Sequence, residues 1–294
     1  MNWHKELKTP TKLLQPIKEY TTFKIGGKAK YFFETQNLEE LKFILDFKRR
    51  KRLKLFVLGG GSNVLITDGV LSGLVIRLSG RAFKSIEVDR DVLRVGAGTA
   101  LKELINYCII NRLANLEFLA GIPGTVGGAV VMNAGTKDRS ISDFVKEVVV
   151  MDHQKRIKTL KRNQISFGYR QSSLNKFIIL KASFNIKRRS LKKIKNDLKA
   201  YLTYRKTTQP LDYPSAGCIF KNPCESISAG ELIDKCGLKG KRIGDACVSL
   251  QHANFIVNLK KAKFMDVIRL MKFIRSKVKE KFDIELEPEI KIWQ

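Results

Sequence analysis

The chain has 294 residues, of which 44% are hydrophobic and 29% charged, a composition typical of a soluble globular protein with room for two or three domains. Its formal net charge of +28 suits nucleic acid or phosphorylated small molecules, but aromatic residues are not interleaved with the basic ones as on a base-stacking surface, so we expect no nucleic-acid partner. No stretch approaches 18 uninterrupted apolar residues, so we expect no membrane span.

The N-terminal segment, MNWHKELKTPTKLLQP (1–16), has scattered lysines but no continuous apolar core and no small-residue cleavage site. It therefore lacks the pattern of a secretory signal peptide. We expect the protein to stay in the cytoplasm.

A β–α–β unit is predicted next. YFFET (31–35) has strand character and leads into a helix, NLEELKFILDFKRR (37–50), for which Asn37 is a suitable N-terminal cap. KLFVL (54–58) has the pattern of a buried strand and ends in a glycine turn, GGGSN (59–63).

A second glycine turn, GAG (96–98), follows the predicted strand DVLRV (91–95), and Thr99 is the expected cap of a helix. One side of that helix is predicted to be apolar, with Leu101, Leu104, Ile105, Cys108 and Ile109. Cys108 is therefore predicted to lie in the core. Five glycines then fall within residues 121–135, in a segment too apolar for a flexible linker.

These glycine-rich turns invite comparison with phosphate-binding loops, because backbone amides without a Cβ can approach a phosphate closely. GGGSN is not followed by a helix, and GAGTAL (96–101) has Leu101 where the last small residue of a dinucleotide fingerprint belongs. Taken singly, each loop is more often an ordinary turn. Together they favour a large phosphorylated cofactor held by the backbone of a non-Rossmann fold.

Strands EVVVM (147–151) and FIILKASF (177–184) precede a basic helix predicted for about 190–206. Its predicted apolar stripe consists of Leu191, Ile194, Leu198 and Leu202. The lysines of the run KRRSLKKIKNDLK would then lie on solvated faces.

A composition break at TTQPLDYPSAG (207–217) suggests a domain boundary. Beyond it, FMDVIRLMKFIRSKVKEKF (264–282) is predicted as an amphipathic helix. Its predicted buried side consists of Phe264, Val267, Ile268, Met271, Ile274 and Val278. The chain closes on an apparent strand, IELEPEIKIW (284–293).

Cysteine and histidine positions decide whether a metal site or disulfides are expected. The cysteines are at 108, 218, 224, 236 and 247, and the histidines are at 4, 153 and 252. No spacing suits zinc, and an odd number of cysteines in a cytosolic chain argues against a disulfide framework, so we expect no metal. Cys218, in SAGCIFKNP (215–223), remains open as a nucleophile, an acid or a small packed side chain.

Seven motifs, in order along the chain, closely resemble a known family. They are YTTFKIGGKA (20–29), LGGGSNVLI (58–66), AGIPGTVGGAVVMNAG (120–135), ISFGYRQS (165–172), SAGCIFKNP (215–223), AGELIDKCGLKGKRIGDACVSLQHANFIVN (229–258) and LEPEIKIW (286–293). The family is UDP-N-acetylenolpyruvoylglucosamine reductase, also called UDP-N-acetylmuramate dehydrogenase. GGGSN alone would be a weak signal, whereas seven ordered motifs are highly specific.

The resemblance implies an α+β flavoenzyme of the PCMH-type (vanillyl-alcohol-oxidase-like) FAD-binding fold. The expected domains are FAD-binding subdomain 1 at 1–83 with 284–294, FAD-binding subdomain 2 at 84–206, and a C-terminal α+β substrate domain at 207–283. Only 47 residues separate Arg170 from Cys218, as in the shorter class of the family, which lacks an inserted tyrosine-bearing loop.

The implied activity is the NADPH-dependent reduction of the enolpyruvyl group of UDP-N-acetylglucosamine enolpyruvate to give UDP-N-acetylmuramate for peptidoglycan. FAD is expected to be non-covalent, because no histidine lies in these loops. The expected partners are NADPH and the UDP-sugar, and we expect a monomer. Another flavin oxidase or dehydrogenase of the same fold is the alternative, and a basic nucleic-acid-binding protein without flavin is the non-enzymatic one.

Carried over by position, the resemblance implies three groups of site residues. The FAD-binding residues are Gly59, Gly60, Gly61, Ser62, Asn63, Ile122, Gly124, Thr125, Gly128 and Asn133. The substrate-binding residues are Tyr169, Lys221 and Asn222, and the catalytic ones are Arg170, Cys218 and Glu289. Position 218 departs from the family, where most members have serine.

Without the resemblance, each catalytic candidate has an ordinary interpretation: Arg170 as a surface arginine, Glu289 as an exposed strand carboxylate, and Cys218 as a small buried hydrophobe. With it, Arg170 pairs with the substrate carboxylate and Glu289 stabilises an enol-like intermediate. Hydride adds to the β-carbon of the enolpyruvyl group, and the α-carbon then needs a proton. A thiol of pKa about 8.5 is a far better acid than a hydroxyl, so Cys218 is predicted to be the general acid.

Overall fold

The computed structural model describes residues 11–294. The first ten residues, with His4 and most of the segment considered above for a signal peptide, lie outside the described residues. Two compact units are present: the first holds residues 11–13, 31–60 and 73–204, and the second holds residues 14–30, 61–72 and 205–294. The division into three domains stays a prediction. No helix within residues 11–294 is both long and apolar enough to cross a membrane.

Short strands and six α-helices alternate along the described chain. The strands are β1 Lys12–Pro16, β2 Lys28–Thr35, β3 Leu55–Val57, β4 Val64–Ile66, β5 Val70–Leu78, β6 Ile86–Asp89, β7 Val92–Gly96, β8 Leu113–Ala114, β9 Val145–Met151, β10 Ile157–Lys161, β11 Phe167–Gly168, β12 Gln171–Ser172, β13 Ile178–Asn185, β14 Lys187–Arg188, β15 Ser215–Cys218, β16 Arg242–Ile243, β17 Ala246–Val248, β18 Phe255–Asn258 and β19 Lys291–Trp293. The helices are α1 Leu38–Arg50, α2 Leu101–Ile110, α3 Val126–Val131, α4 Leu191–Thr208, α5 Ala229–Lys235 and α6 Phe264–Phe282.

A five-stranded antiparallel sheet, ordered β10-β9-β13-β7-β6, dominates the first unit. Its core contains the buried sides of α2, α3 and α4. Cys108 lies in this core, as predicted, and burial together with the nearby Glu117 carboxylate raises its pKa to about 12. This thiol is a packed apolar group.

A smaller core forms where α1 packs on a sheet of order β1-β2-β5-β3. Strand β5 lies between β2 and β3, and β3 runs parallel to it. The cap predicted for α1 is confirmed, because Asn37 Oδ1 accepts a hydrogen bond from the Glu40 amide at 3.0 Å. The glycine turn GGGSN follows β3, so this sheet carries its first residues.

The second unit is built on an antiparallel sheet ordered β15-β18-β17-β16. Helices α5 and α6 bury their apolar sides in its core, together with Phe23, Ile25 and Leu65. Helix α6 has the predicted bounds, although Leu270 is fully buried and Ile268 only partly so. At the C-terminus β19 runs parallel to β4, with Ile292 opposite Leu65.

Two predictions about helices are wrong in detail. Thr99 is not the cap of α2: Ala100 holds that position, and the Glu103 carboxylate accepts a hydrogen bond from its amide at 3.3 Å. In α4, Leu202 is 48% exposed, and Tyr201 packs against the core in its place. Residues 201 and 202 are adjacent on the helix, so the helical period allows either of them to lie at the edge of the apolar stripe.

The closing strand predicted over residues 284–293 is also shorter in the structure. Strand β19 covers only Lys291–Trp293, preceded by a single bridge between Phe220 and Pro288. The Glu287 carbonyl and the Glu289 amide make the hydrogen bonds of this bridge, and Pro288 has no amide hydrogen to donate to a strand on its other side. Glu289 is therefore half-buried in an irregular segment just before the strand.

Candidate active site

Two of the predicted FAD-binding loops meet inside the first unit. A Cβ on Gly60 would lie 2.6 Å from the Gly124 Cα, and a Cβ on Gly59 would lie 2.6 Å from Thr125 Oγ1. Both distances are shorter than the contacts that side chains make. At Gly60 the neighbouring atoms are all backbone, so only glycine fits there; at Gly59 the close atom belongs to the Thr125 side chain.

The second loop is held by the chain that enters α2. The Leu101 amide donates to the Gly124 carbonyl at 3.0 Å, and the Val126 amide donates to the Thr99 carbonyl at 2.9 Å. Thr125 is the N-cap of the short helix α3. The other two predicted residues of this loop, Ile122 and Gly128, are half-buried and exposed respectively.

The rest of the first glycine turn belongs to the second unit. Gly61 has φ +65°, and a Cβ on it would overlap the Tyr20 carbonyl oxygen, so glycine is required here too. Its carbonyl accepts a hydrogen bond from the Thr22 amide at 3.1 Å, while Thr22 Oγ1 donates to the Ser215 carbonyl at 2.7 Å. Thr22 thus joins the turn to the start of β15. Ser62, next along, is half-buried.

Asn63 connects the same turn to the proposed catalytic carboxylate. Its Nδ2 donates to the Glu289 carbonyl at 3.3 Å, and its own carbonyl accepts from the Lys291 amide at 3.0 Å. These bonds fix the backbone on both sides of residue 290. The FAD-binding role of Asn63 stays a prediction, while its amide holds Glu289 in place.

These loops suit a large phosphorylated cofactor. The close packing of Gly59 and Gly60 on Gly124 and Thr125 brings the backbones of the two loops side by side, and the bonds to Thr99 and Leu101 hold the second loop in position. Among residues 11–294, by contrast, no group of three or more histidine, cysteine or carboxylate side chains is arranged to hold a metal ion.

Arg170 lies in the turn of a two-stranded hairpin formed by β11 and β12. Its backbone is left-handed, with φ +54°, and its guanidinium carbon is 5.2 Å from the centre of the Tyr169 ring. The buried Asn133 supports this hairpin: its Nδ2 donates to the Gly168 carbonyl at 3.0 Å, and its Oδ1 accepts from the Ser142 amide at 3.2 Å. Asn133 therefore positions the turn that carries Arg170.

The hairpin borders an open cavity of about 250 Å³ in the first unit. The cavity is lined by Asn133, Tyr169 and Arg170, together with residues 136–140 and Asp143. The Tyr169 side chain is 48% exposed. A tyrosine and an arginine are therefore both accessible at one opening, as residues that contact a substrate must be.

Cys218 ends β15, directly after a bulge. Gly217 has φ +77°, and the pairing of β15 with β18 shifts register between Ser215 and Cys218, which is opposite Phe255. The bulge changes the direction of the thiol, which is half-buried and takes part in no disulfide. Free cysteines that serve only as small hydrophobes are usually fully buried, as Cys108 is.

The segment after Cys218 runs antiparallel to the residues around Glu289. The Glu289 amide donates to the Ile219 carbonyl at 2.8 Å, and the Lys221 amide donates to the Glu287 carbonyl at 2.9 Å. The second unit thereby brings the backbones of Cys218, Lys221 and Glu289 together. Cys218 and Glu289 are 71 residues apart in the sequence.

The two predicted substrate-binding residues of this segment have partners in the protein. Lys221 Nζ donates to Glu287 Oε1 at 2.6 Å; the lysine side chain is 16% exposed and the glutamate 68%. Asn222 Oδ1 accepts from the Ala229 amide at the start of α5. A substrate that binds here competes with an exposed carboxylate for Lys221.

The predicted site residues are thus divided between the two units. The first unit holds Gly59, Gly60, Ile122, Gly124, Thr125, Gly128, Asn133, Tyr169 and Arg170. The second holds Gly61, Ser62, Asn63, Cys218, Lys221, Asn222 and Glu289. Sequence reasoning assigned no role to Thr22 or Asn254, although both lie in motifs of the family resemblance. Their side chains bond to backbone, a contact that leaves no pattern in the sequence.

Comparison with known proteins agrees with these motifs. The family model described as the C-terminal domain of UDP-N-acetylenolpyruvoylglucosamine reductase matches residues 209–293, and the model described as an FAD binding domain matches residues 29–161. The reductase of Desulforamulus reducens is 39% identical over 280 residues, which are 95% of this chain and 92% of that protein. The chain belongs to the UDP-N-acetylenolpyruvoylglucosamine reductase family.

Two further members of the reductase family match this chain over nearly its whole length, one in sequence and one in structure. The reductase of Pseudothermotoga lettingae is 40% identical over 285 residues, covering 96% of this chain and 97% of that one. The crystal structure of the Thermus caldophilus enzyme superposes with a TM-score of 0.82 at 38% identity and covers 98% of this chain and 99% of that one. The predicted α+β, PCMH-type FAD-binding fold is confirmed, and the protein is an FAD-dependent oxidoreductase.

Proposed function

We propose that this protein reduces the enolpyruvyl group of UDP-N-acetylglucosamine enolpyruvate to the lactyl ether of UDP-N-acetylmuramate, with NADPH as the hydride source. The observation that carries the proposal is the matching length of chain and relatives at 39% identity, with all seven motifs in place. The glycine-rich loops at residues 59–63 and 122–128 would hold FAD, which would supply a hydride, obtained from NADPH, for the β-carbon of the enolpyruvyl group. Every other task in the reaction falls to side chains of this protein.

Cys218 completes the reduction by donating a proton to the α-carbon. The C=C bond is then saturated by one hydride and one proton, and the resulting thiolate recovers its proton from solvent. The structure supports this role through the bulge at Gly217, which turns a half-buried thiol out of the regular alternation of β15. A thiol is mostly protonated near neutral pH and can act as an acid there.

Arg170 binds the substrate carboxylate through the planar fork of its guanidinium and stabilises the charge that develops next to it. Two observations support this role: Arg170 lies in a hairpin turn that borders the open cavity, and the Asn133 side chain bonds to that hairpin. Glu289 stabilises the enol-like form of the same group. Tyr169, Lys221 and Asn222 contact the substrate.

The biological role that follows is the committed reduction in the synthesis of a peptidoglycan precursor. Both ligands, NADPH and the UDP-sugar, are anionic, so a net charge of +28 speeds their capture. The protein acts as a monomer in the cytoplasm.

One anaerobic titration tests the proposal. The purified holoenzyme should be yellow, lose its flavin absorbance on addition of NADPH, and regain it when UDP-N-acetylglucosamine enolpyruvate is added. Simple hydroxy acids, offered in place of the UDP-sugar, should leave the flavin reduced. Reoxidation by a hydroxy acid and not by the UDP-sugar would contradict the proposal and favour another oxidoreductase of the same fold.

A further inference from the structure

The side chain of Asn254 is a buried carboxamide whose oxygen and nitrogen both bond to the backbone of one residue, Phe220. It is 3% exposed. Its Oδ1 accepts a hydrogen bond from the Phe220 amide at 3.0 Å, and its Nδ2 donates to the Phe220 carbonyl at 2.8 Å. Its backbone carbonyl also accepts from the Ile219 amide at 2.9 Å. Asn254 thus holds two consecutive residues directly after Cys218.

This arrangement continues a strand where the backbone ladder stops. Strand β18 begins at Phe255, opposite Cys218, so Phe220 lies beyond the last paired residue of β15. A carboxamide presents an acceptor oxygen and a donor nitrogen side by side, and can therefore bond to the N–H and C=O of one strand residue. The Asn254 side chain therefore takes the place of a missing backbone partner.

On the opposite side, the same segment is fixed by the residues that contain Glu289. Ile219 accepts from the Glu289 amide, and Lys221 donates to the Glu287 carbonyl. Phe220 is the residue between Cys218 and Lys221 whose backbone N–H and C=O both bond to a side chain. If the backbone of Phe220 rotates, the Cys218 thiol and the Lys221 ammonium move relative to each other.

We propose that Asn254 is a positioning residue for proton transfer, acting through Cys218 and Lys221. The inference rests on the proposed function, since it takes Cys218 as the proton donor and Lys221 as a substrate contact. Asn254 touches neither substrate nor flavin in this account. It fixes the distance between the residue that gives the proton and the residue that holds the substrate.

Asn258, the last residue of β18, provides a matched control, since Asn254 directly precedes the first residue of the same strand. It is also 3% exposed, its Nδ2 donates to the Phe23 carbonyl at 3.1 Å, and its Oδ1 accepts from the Ala262 amide at 2.9 Å. Replacing either asparagine by alanine removes two buried hydrogen bonds of the same kind, so the two variants should lose similar stability. Only Asn254 bonds to the segment 218–221.

The first test measures both half-reactions by stopped flow in FAD-saturated protein. Asn254→Ala should be reduced by NADPH at the wild-type rate and reoxidised by UDP-N-acetylglucosamine enolpyruvate about a hundredfold more slowly, the cost of a misplacement near 1 Å. Asn258→Ala should keep the wild-type ratio of the two rates. Equal slowing of reoxidation in both variants would overturn the proposal. A wild-type protein that the UDP-sugar fails to reoxidise would instead refute the proposed function.

A double-mutant cycle asks whether the effect passes through the thiol. In the Cys218→Ala background there is no thiol left to position, so adding Asn254→Ala should slow reoxidation only slightly further. If the fold-decrease in reoxidation rate of the double variant equals the product of the fold-decreases of the two single variants, Asn254 does not act through Cys218.

Asn254→Asp keeps the size of the side chain and tests the proposal without creating a cavity. As a carboxylate it cannot donate to the Phe220 carbonyl, but burial raises the pKa of such a group, and the protonated acid has one donor and one acceptor like the amide. The reoxidation rate of this variant, relative to wild type, should rise as the pH is lowered from about 8 to about 6. The ionisable residues on the neighbouring segments, which both proteins share, are Cys218, Lys221, His252, Glu287 and Glu289. A constant ratio of rates between the two proteins across this range would contradict the positioning role.

Discussion

Replacing Gly60 by alanine should force apart the two glycine-containing loops that we propose hold FAD. The new Cβ would lie 2.6 Å from the Gly124 Cα and 3.1 Å from the Gly124 nitrogen and carbonyl carbon. Ordinary contact begins at 3.4 Å, so the two loops must separate by about 0.8 Å, the difference between 3.4 and 2.6 Å. All three atoms are backbone, which cannot rotate away as a side chain can. Overpacking of this kind costs about 1–3 kcal/mol.

If the loops return to their original spacing only when FAD binds, that energy weakens binding by about 5- to 150-fold. The assay is a titration of deflavinated protein with FAD, followed by flavin fluorescence, with Tm measured in parallel. Gly69→Ala is the matched control, because its Cβ would meet only Thr67 Oγ1, at 3.8 Å. An unchanged Kd and Tm in Gly60→Ala, or equal weakening in Gly69→Ala, would refute the contact between the loops.

Three further outcomes are expected. Arg170→Lys keeps the charge but loses the planar fork, so flavin reduction by NADPH should persist while turnover of the enolpyruvyl substrate falls about a hundredfold; unchanged steady-state turnover would remove Arg170 from the mechanism. Glu287→Gln frees Lys221 from its 2.6 Å ion pair, so the KM for the UDP-sugar should fall. The fall should be at most about fivefold, because that glutamate is 68% exposed and exposed ion pairs are weak; a raised KM would contradict competition between Glu287 and the substrate for Lys221. Burial lowers the pKa of His252, whose Nδ1 accepts a hydrogen bond from the backbone amide of Asn254 at 3.2 Å. As the pH falls, His252 is therefore protonated in the unfolded chain before it is protonated in the folded protein. The free energy of unfolding from urea titrations should therefore decrease below about pH 6.5, and His252→Gln should reduce that slope.

Most of the elements were predictable because their burial follows a local period. Helix α6 begins and ends at the same residues as its apolar pattern. The cap of α1 was predictable because Asn37 lies three residues before Glu40, from whose backbone amide its side chain accepts a hydrogen bond. The same reasoning failed at Thr99 and Leu202. At Thr99 the helix begins one residue later than the capping residue type indicates, and at Leu202 two adjacent residues fit the period and tertiary packing decided between them.

The candidate site was predictable only in part. The glycines are recognisable because only glycine tolerates the close approach of Gly60 to Gly124 or the left-handed backbone of Gly61. The pairing of residues 287–289 with 219–221 brings together segments distant in sequence, which no local pattern reveals. The hydrogen bonds from the side chains of Asn63, Asn133 and Asn254 to the backbone could not be predicted either. A sequence does not distinguish a buried asparagine from one on the surface.

The central claim is that Cys218 supplies the proton after hydride transfer, and the most direct test is stopped-flow measurement of both half-reactions in Cys218→Ala. Flavin reduction by NADPH requires no proton from this residue and should keep the wild-type rate. Reoxidation by UDP-N-acetylglucosamine enolpyruvate should become very slow, and Cys218→Ser should recover much of it, because a hydroxyl then stands where most members of the family carry one. Equal damage to both half-reactions would show that Cys218 is a structural residue and would contradict the account.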